Sequence, residues 1–131
     1  MSKYNNRNTV VDGIKFDSVN ESKYYLLLQE KVERGEIAGF SLQPKFLLQD
    51  KFEKDGRKFR KIEYVADFEV VHLDGSLEIV DVKGVETEAF KIKRKLFEKK
   101  YPYRLSLMKH VKKFGGWITV EEWKKLKKVG K

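Results

Sequence analysis

Three carboxylates and a lysine are placed where they could do chemistry. Asp81 and Lys83 are two apart in a β-forming run, residues 77–83 (LEIVDVK), so both side chains leave the strand on one face. A carboxylate set among Ile79, Val80 and Val82 needs a partner, because burying an unpaired charge is costly. Asp67 lies between Ala66 and Phe68 in the preceding β-rich run, and Asp74-Gly75 turns the chain back toward Asp81. Glu21 is the fourth candidate, at the last position of the capping-box sequence Ser18-Val19-Asn20-Glu21. The chain has no cysteine, which excludes thiolate zinc, a Cys nucleophile and a disulfide scaffold. Its two histidines, His72 and His110, are too few for a His-rich metal site. Any metal would therefore be held by oxygen, which suits magnesium or manganese. Simpler roles stand beside these: an Asp–Lys pair on a solvated sheet face, a Glu that only satisfies a helix start, and histidines at the surface or in packing.

Register decides whether Asp67 and Asp81 can share a site. A two-residue loop at Asp74-Gly75 sets Asp67 opposite Val82 and puts the two carboxylates on opposite faces. A three-residue loop, Asp74-Gly75-Ser76, pairs Leu73 with Leu77 and sets Asp67 opposite Lys83, with Asp81 diagonal on the same face. A shared metal site requires such an odd loop or an equivalent bulge.

The elements that must position these residues follow from periodicity. Residues 9–16 read as a hairpin turning at Asp12-Gly13. The capping box opens a helix with Tyr24, Tyr25, Leu28 and Val32 at helical spacing, and Gly35 is placed to end it. Phe40, Leu42, Phe46 and Leu48 alternate as a strand, which Pro44 makes an edge or a locally broken one. Lys54-Asp55-Gly56-Arg57 is a turn, and residues 59–72 contain a long strand. The second helix, residues 88–100, turns Ala89, Ile92, Leu96 and Phe97 inward, with Lys91, Lys93, Arg94, Lys95, Lys99 and Lys100 on its other face. Pro102 stops it, residues 103–111 form a strand, Gly115-Gly116 breaks the chain, and Thr119 to Glu122 caps a short lysine-rich helix. A strand after a crossover helix pairs parallel to an earlier one, so the expected fold is α/β with a mixed sheet flanked by helices.

With 131 residues, the expected organisation is one domain spanning residues 1–131, with a loose polar arm at 1–8 and a basic tail at 112–131. Residues 1–10 (MSKYNNRNTV) carry no apolar signal core, which points away from secretion, and no apolar run is long enough to span a membrane. The net charge of +9 points to a polyanionic partner. It is uneven: residues 109–131 hold eight lysines against Glu121 and Glu122, while 18 of the 20 carboxylates lie earlier. Trp117 and Trp123 either stack on unpaired bases or anchor the last helix.

The order Ser18-x-x-Glu21, Gln43-Pro44, Ala66-Asp67-Phe68 and Val80-Asp81-Val82-Lys83-Gly84 resembles the PD-(D/E)xK nuclease superfamily. It is most similar to the branch holding phage endonuclease I-type Holliday junction resolvases and TnsA-like end-cleaving nucleases, over roughly residues 16–111. Asp81 stands where Glu is commoner, and Ala66 where Pro usually precedes the first Asp. The resemblance implies a restriction-endonuclease-like core (helix, three-stranded meander, helix, strand) with a basic helical C-terminal tail. It implies that Asp67, Asp81 and the Val82 carbonyl ligate Mg2+ (with Mn2+ able to substitute), that Glu21 completes the acidic cluster, and that Lys83 meets the scissile phosphate or attacking water. Lys91, Lys93, Arg94 and Lys95, with Lys112 and Lys113, would then hold the DNA backbone; the bland alternative is a solvated helix face.

The expectation is a Mg2+-dependent endodeoxyribonuclease acting on branched DNA in phage recombination or processing. By the same resemblance it would be phage- or prophage-encoded, cytoplasmic in a bacterial host, and a homodimer without membrane contact. Two alternatives accompany it: a nuclease for flap, single-stranded or specific duplex DNA, and a non-catalytic DNA-binding accessory protein that retains the fold.

Overall fold

A computed structural model describes residues 9–82, 86–112 and 116–129. Residues 9–16 form a hairpin, β1 (Thr9–Val11) with β2 (Ile14–Phe16). Its turn places Asp12 at φ 53° and Gly13 at φ 77°, the two left-handed conformations that an Asp-Gly hairpin supplies. Helix α1 (Val19–Glu33) starts at Ser18, whose hydroxyl accepts the Glu21 N–H, and Gly35 (φ 74°) follows its C-cap. Tyr24, Tyr25 and Leu28 are buried as the spacing suggests, but Val32 is exposed.

The central sheet has five strands in the order β11-β10-β9-β8-β3. These are β3 (Gly39–Leu42), β8 (Phe68–Val71), β9 (Leu77–Val82), β10 (Arg104–Val111) and β11 (Gly116–Thr119). β9 and β10 are parallel, joined by crossover helix α2 (Glu88–Lys100), and the other pairings are antiparallel. The molecule is therefore α/β with a mixed sheet, and helix α3 (Val120–Val129) follows the edge strand. Among the described residues no helix is long and apolar enough to cross a membrane.

β9 is buried on both sides, as an apolar strand inside a parallel pairing must be. Its Val80 faces the cluster built on α1, with Phe16, Tyr24, Tyr25, Leu28, Phe68 and Val70. Ile79 faces the second cluster, with Tyr64, Ala66, Phe90, Phe97, Leu105 and Leu107. In α2 the buried seam is Phe90 and Phe97, seven apart. Ala89 is exposed and Ile92 is 60% exposed, so the helix is rotated from the expected phase. Two phenylalanines bury more apolar surface than Ala89 and Ile92, and that difference sets the rotation.

Two further strand pairs extend from the sheet. β4 (Lys45–Gln49) pairs with β7 (Ile62–Val65), and β5 (Phe52–Lys54) pairs with β6 (Arg57–Phe59). The pairings Leu42↔Phe68 and Lys45↔Val65 share one register, so β3-β4 and β8-β7 are a single ribbon interrupted at Gln43-Pro44 and Ala66-Asp67. Pro44 has no N–H to donate, and Gln43 adopts φ 50°. Past the interruption, Phe46, Leu48 and Tyr64 pack with α2 residues, while Phe40 and Phe68 pack with α1. The broken strand expected at Pro44 is thus where the ribbon passes from one core to the other.

Candidate functional site

That interruption places the acidic residues. Gln43 donates its N–H to the Asp67 carbonyl at 2.9 Å, and Ala66 donates to the Pro44 carbonyl at 3.1 Å, so the ribbon stays closed through its break. Asp67 is thereby held at the junction of β7 and β8. The β8–β9 loop is Leu73-Asp74-Gly75: His72 donates its N–H to Ser76 O, Gly75 donates to His72 O, and Val71 pairs with Leu77. It has three residues, but it closes one residue earlier than the loop expected from the sequence. Asp67 accordingly extends the Phe68↔Val80 register to stand opposite Asp81 rather than opposite Lys83.

The opposed pair is knit by its own carboxylates. Asp81 accepts the Asp67 N–H at 2.8 Å, and Asp67 accepts the Val82 N–H at 2.8 Å. The Tyr64 hydroxyl donates to the second oxygen of Asp81. Asp81 is only 1% exposed. Burial first, then the negative charge of Asp81 and the hydrogen bond to it, push the Tyr64 hydroxyl far above its ordinary value, so it stays a donor. Sequence reasoning missed Tyr64, although its signal was there: a Tyr three residues before Asp67 in a β-forming run needs a partner for its hydroxyl if it is buried.

Glu21 approaches from α1. Its N–H donates to Ser18 Oγ at 3.1 Å, and the Ser18 hydroxyl lies 3.5 Å from the Glu21 carboxylate. Glu21, Gln43 and Asp67 line one small cleft of about 90 Å³, walled by Ile14, Phe16, Leu42 and Phe68. Two of the three acids thus share a cleft, and the third is hydrogen-bonded to one of them. Among the described residues no three acidic or imidazole side chains converge tightly enough to form a metal cluster by themselves. Lys83 lies outside the described residues, as do Lys113 and the arm at 1–8.

The family described as "Protein of unknown function (DUF1064)" matches residues 1–116. The chain belongs to that family. No curated protein and no solved structure matches it. The DUF1064 span takes in Glu21, Gln43, Tyr64, Asp67, Asp81 and Lys83, and stops before Trp117 and α3.

The cationic residues of this DUF1064 chain are less uniform than the sequence suggests. Lys91 and Lys95 are exposed, and Lys91 pairs with Glu88 at 3.2 Å. Lys93 and Arg94 flank the buried seam, and Arg94 bridges Glu98 (3.4 Å) and Glu121 (3.2 Å), tying α2 to α3. Lys112 is exposed at the end of β10. Trp117 packs edge-on against Tyr24 at 5.0 Å and also meets His110, so it anchors β11 to α1. Trp123 lies beneath Lys109 and Lys127. His72 pairs with Glu78 at 2.7 Å, at the loop end of β9.

Proposed function

We propose that this DUF1064 protein is a divalent-metal-dependent DNA endonuclease with a restriction-endonuclease-like core, acting on branched DNA. The observation that carries the reading is the Glu21–Asp67–Asp81 series. Three carboxylates from α1, the β7–β8 junction and β9 are joined in sequence by a shared cleft and a hydrogen bond. They gather toward the C-terminal end of a parallel strand, where open α/β sheets bind their ligands. The element order helix, antiparallel strands, crossover helix, parallel strand supports the same reading.

The donor set fits a hard cation: its acids offer carboxylate oxygens, with neither thiolate nor imidazole beside them, and Lys15 and Gln43 line the same cleft. Asp67, Asp81 and the Val82 carbonyl would hold Mg2+ or Mn2+, with Glu21 completing the set. Such an ion supplies charge neutralisation on the phosphodiester and a lowered pKa for water. Asp67 and Asp81 fix each other's position through the backbone of the opposite strand. Tyr64 holds the Asp81 carboxylate from behind. Lys83, two residues beyond Asp81, would balance phosphate charge, and the cations of α2 with Lys112 would bind the backbone without reading sequence. A two-fold dimer would let one assembly cut both strands of a junction.

The reciprocal hydrogen bonds favour a second reading, in which the acids only lock the sheet and the protein binds DNA without cutting it. Incubation with linear, nicked, flap and four-way DNA, with and without magnesium, separates the two. Metal-dependent cleavage of any form supports the nuclease; binding without cleavage of every form supports the second reading.

A further inference from the structure

Residues 49–61 are exposed without interruption and carry the β5–β6 hairpin. At the usual strand rise this arm is about 20 Å long. Its register, Phe52↔Phe59 and Lys54↔Arg57, puts all four side chains on one face. The two rings stack at 4.7 Å with 12° between planes, yet remain 45% and 39% exposed. Among the described residues neither ring joins a core cluster, so the pair presents a flat apolar surface at the end of a ribbon.

The surroundings of the pair select its partner. Between Lys51 and Lys61 there are six cationic side chains against Glu53 and Asp55. Among the described residues Lys54 and Arg57 make no ion pair, whereas Lys61 at the arm's base pairs with Glu63. An arm this positive repels a second copy of itself and attracts a polyanion. Nucleic acid with unpaired bases combines flat apolar faces with negative charge, and aromatic platforms framed by cations are how single strands are bound.

We infer that the β5–β6 arm binds unpaired DNA bases, Phe52 and Phe59 supplying the stacking surface and Lys54 and Arg57 the contacts to flanking phosphates. The inference shares with the nuclease reading only that DNA is the partner. It uses none of Glu21, Asp67 or Asp81, and it is tested without metal.

The full chain is titrated in EDTA with labelled single-stranded, gapped and fully paired DNA of equal length. Replacing both rings (Phe52→Leu with Phe59→Leu) keeps apolar bulk and removes stacking; single-strand affinity should fall about tenfold or more, with duplex affinity within about twofold. Phe52→Tyr with Phe59→Tyr, which keeps the rings, should bind like the parent. Lys54→Gln with Arg57→Gln should reduce the salt slope on single strands by about one to two. Unchanged single-strand affinity in the leucine pair overturns the inference, as does an equal loss on duplex. A dimer that dissociates in that variant while DNA affinity holds assigns the arm to self-association instead. Arm-dependent binding without cleavage sinks the nuclease reading alone; cleavage with arm variants that bind normally sinks this inference alone.

Discussion

Asp67 and Asp81 each hold the other's strand: Asp81 accepts the Asp67 N–H and Asp67 accepts the Val82 N–H, both at 2.8 Å. Where the β8–β9 ladder ends, side-chain oxygens take over as acceptors for backbone donors. The arrangement fixes two carboxylates side by side at the sheet end, and it gives each one a structural duty that any test of chemistry must separate from activity.

Asp81→Ala removes the acceptor from the Tyr64 hydroxyl and the Asp67 N–H, and should cost about 1–3 kcal/mol of stability. Asp81→Asn keeps one acceptor oxygen and should cost less. Urea midpoints for the pair check this; equal midpoints for Asp81→Ala and the parent would show that the acid carries no structural load.

Glu21 has two duties that mutation can divide. Ser18→Ala deletes the N-cap and should cost about 1 kcal/mol while leaving any cleavage intact. Glu21→Gln keeps a hydrogen-bonding side chain at the helix start, so its melting temperature should stay near the parent's while metal-dependent cleavage falls. Cleavage lost in Ser18→Ala and kept in Glu21→Gln would reduce Glu21 to a capping residue.

Gln43 pays a backbone cost at φ 50° to line the cleft. Gln43→Gly should leave stability unchanged or raise it by up to about 1 kcal/mol, and Gln43→Val should lower it by about 1–3 kcal/mol. Thermal melts should therefore place the glycine variant clearly above the valine one. A glycine variant less stable than the valine one would contradict the left-handed junction.

Tyr24 and Tyr64 keep their protons to higher pH in the folded protein than in the unfolded chain. Burial pushes Tyr24 up to about 12, with the negative charge of Glu78 adding to it. Their contribution is complete below the ordinary tyrosine value and is lost as pH climbs toward the folded one. Each such tyrosine should steepen the decline in stability above pH ~10 by about 1.4 kcal/mol per pH unit. Tyr24→Phe should make that alkaline decline shallower in denaturation curves taken from pH 8 to 11. An identical slope in the variant would show that Tyr24 ionises as freely folded as unfolded.

Much of this arrangement is legible in the residues. Asp12-Gly13, the Ser18 cap, Gly35 and the crossover before Leu105 and Leu107 announce the hairpin, α1 and the parallel pairing, because each rests on local backbone chemistry. Pro44 marks the break in the ribbon for the same reason. The phase of α2 was legible only in part: Phe97 and Leu96 turn inward as expected, but Phe90 takes the place given to Ala89 and Ile92, because packing against the ribbon favours the larger ring. β11 was hidden by its length: its four residues run from the second Gly of a pair that reads as a chain break to the Thr119 that caps α3, and only β10 supplies them a partner. The loop frame at Leu73-Asp74-Gly75 depends on Asp74 accepting the Ser76 N–H and hydroxyl, a choice the Asp-Gly signal leaves open. Asp67 and Asp81 could be named from sequence; their direct opposition could not.

The central claim is that the Glu21–Asp67–Asp81 series performs metal-dependent phosphodiester hydrolysis. The most direct measurement is cleavage of four-way-junction DNA by the purified chain in magnesium, compared with Asp67→Asn and with magnesium replaced by EDTA. Folding of the variant is checked by its melting curve, and its binding to the same DNA is measured in EDTA. The account predicts cleavage by the parent in magnesium only, and loss of at least about a hundredfold in rate for a folded, DNA-binding Asp67→Asn. Full cleavage by that variant, or no cleavage by the parent on any branched, flap, nicked or linear DNA, would contradict it.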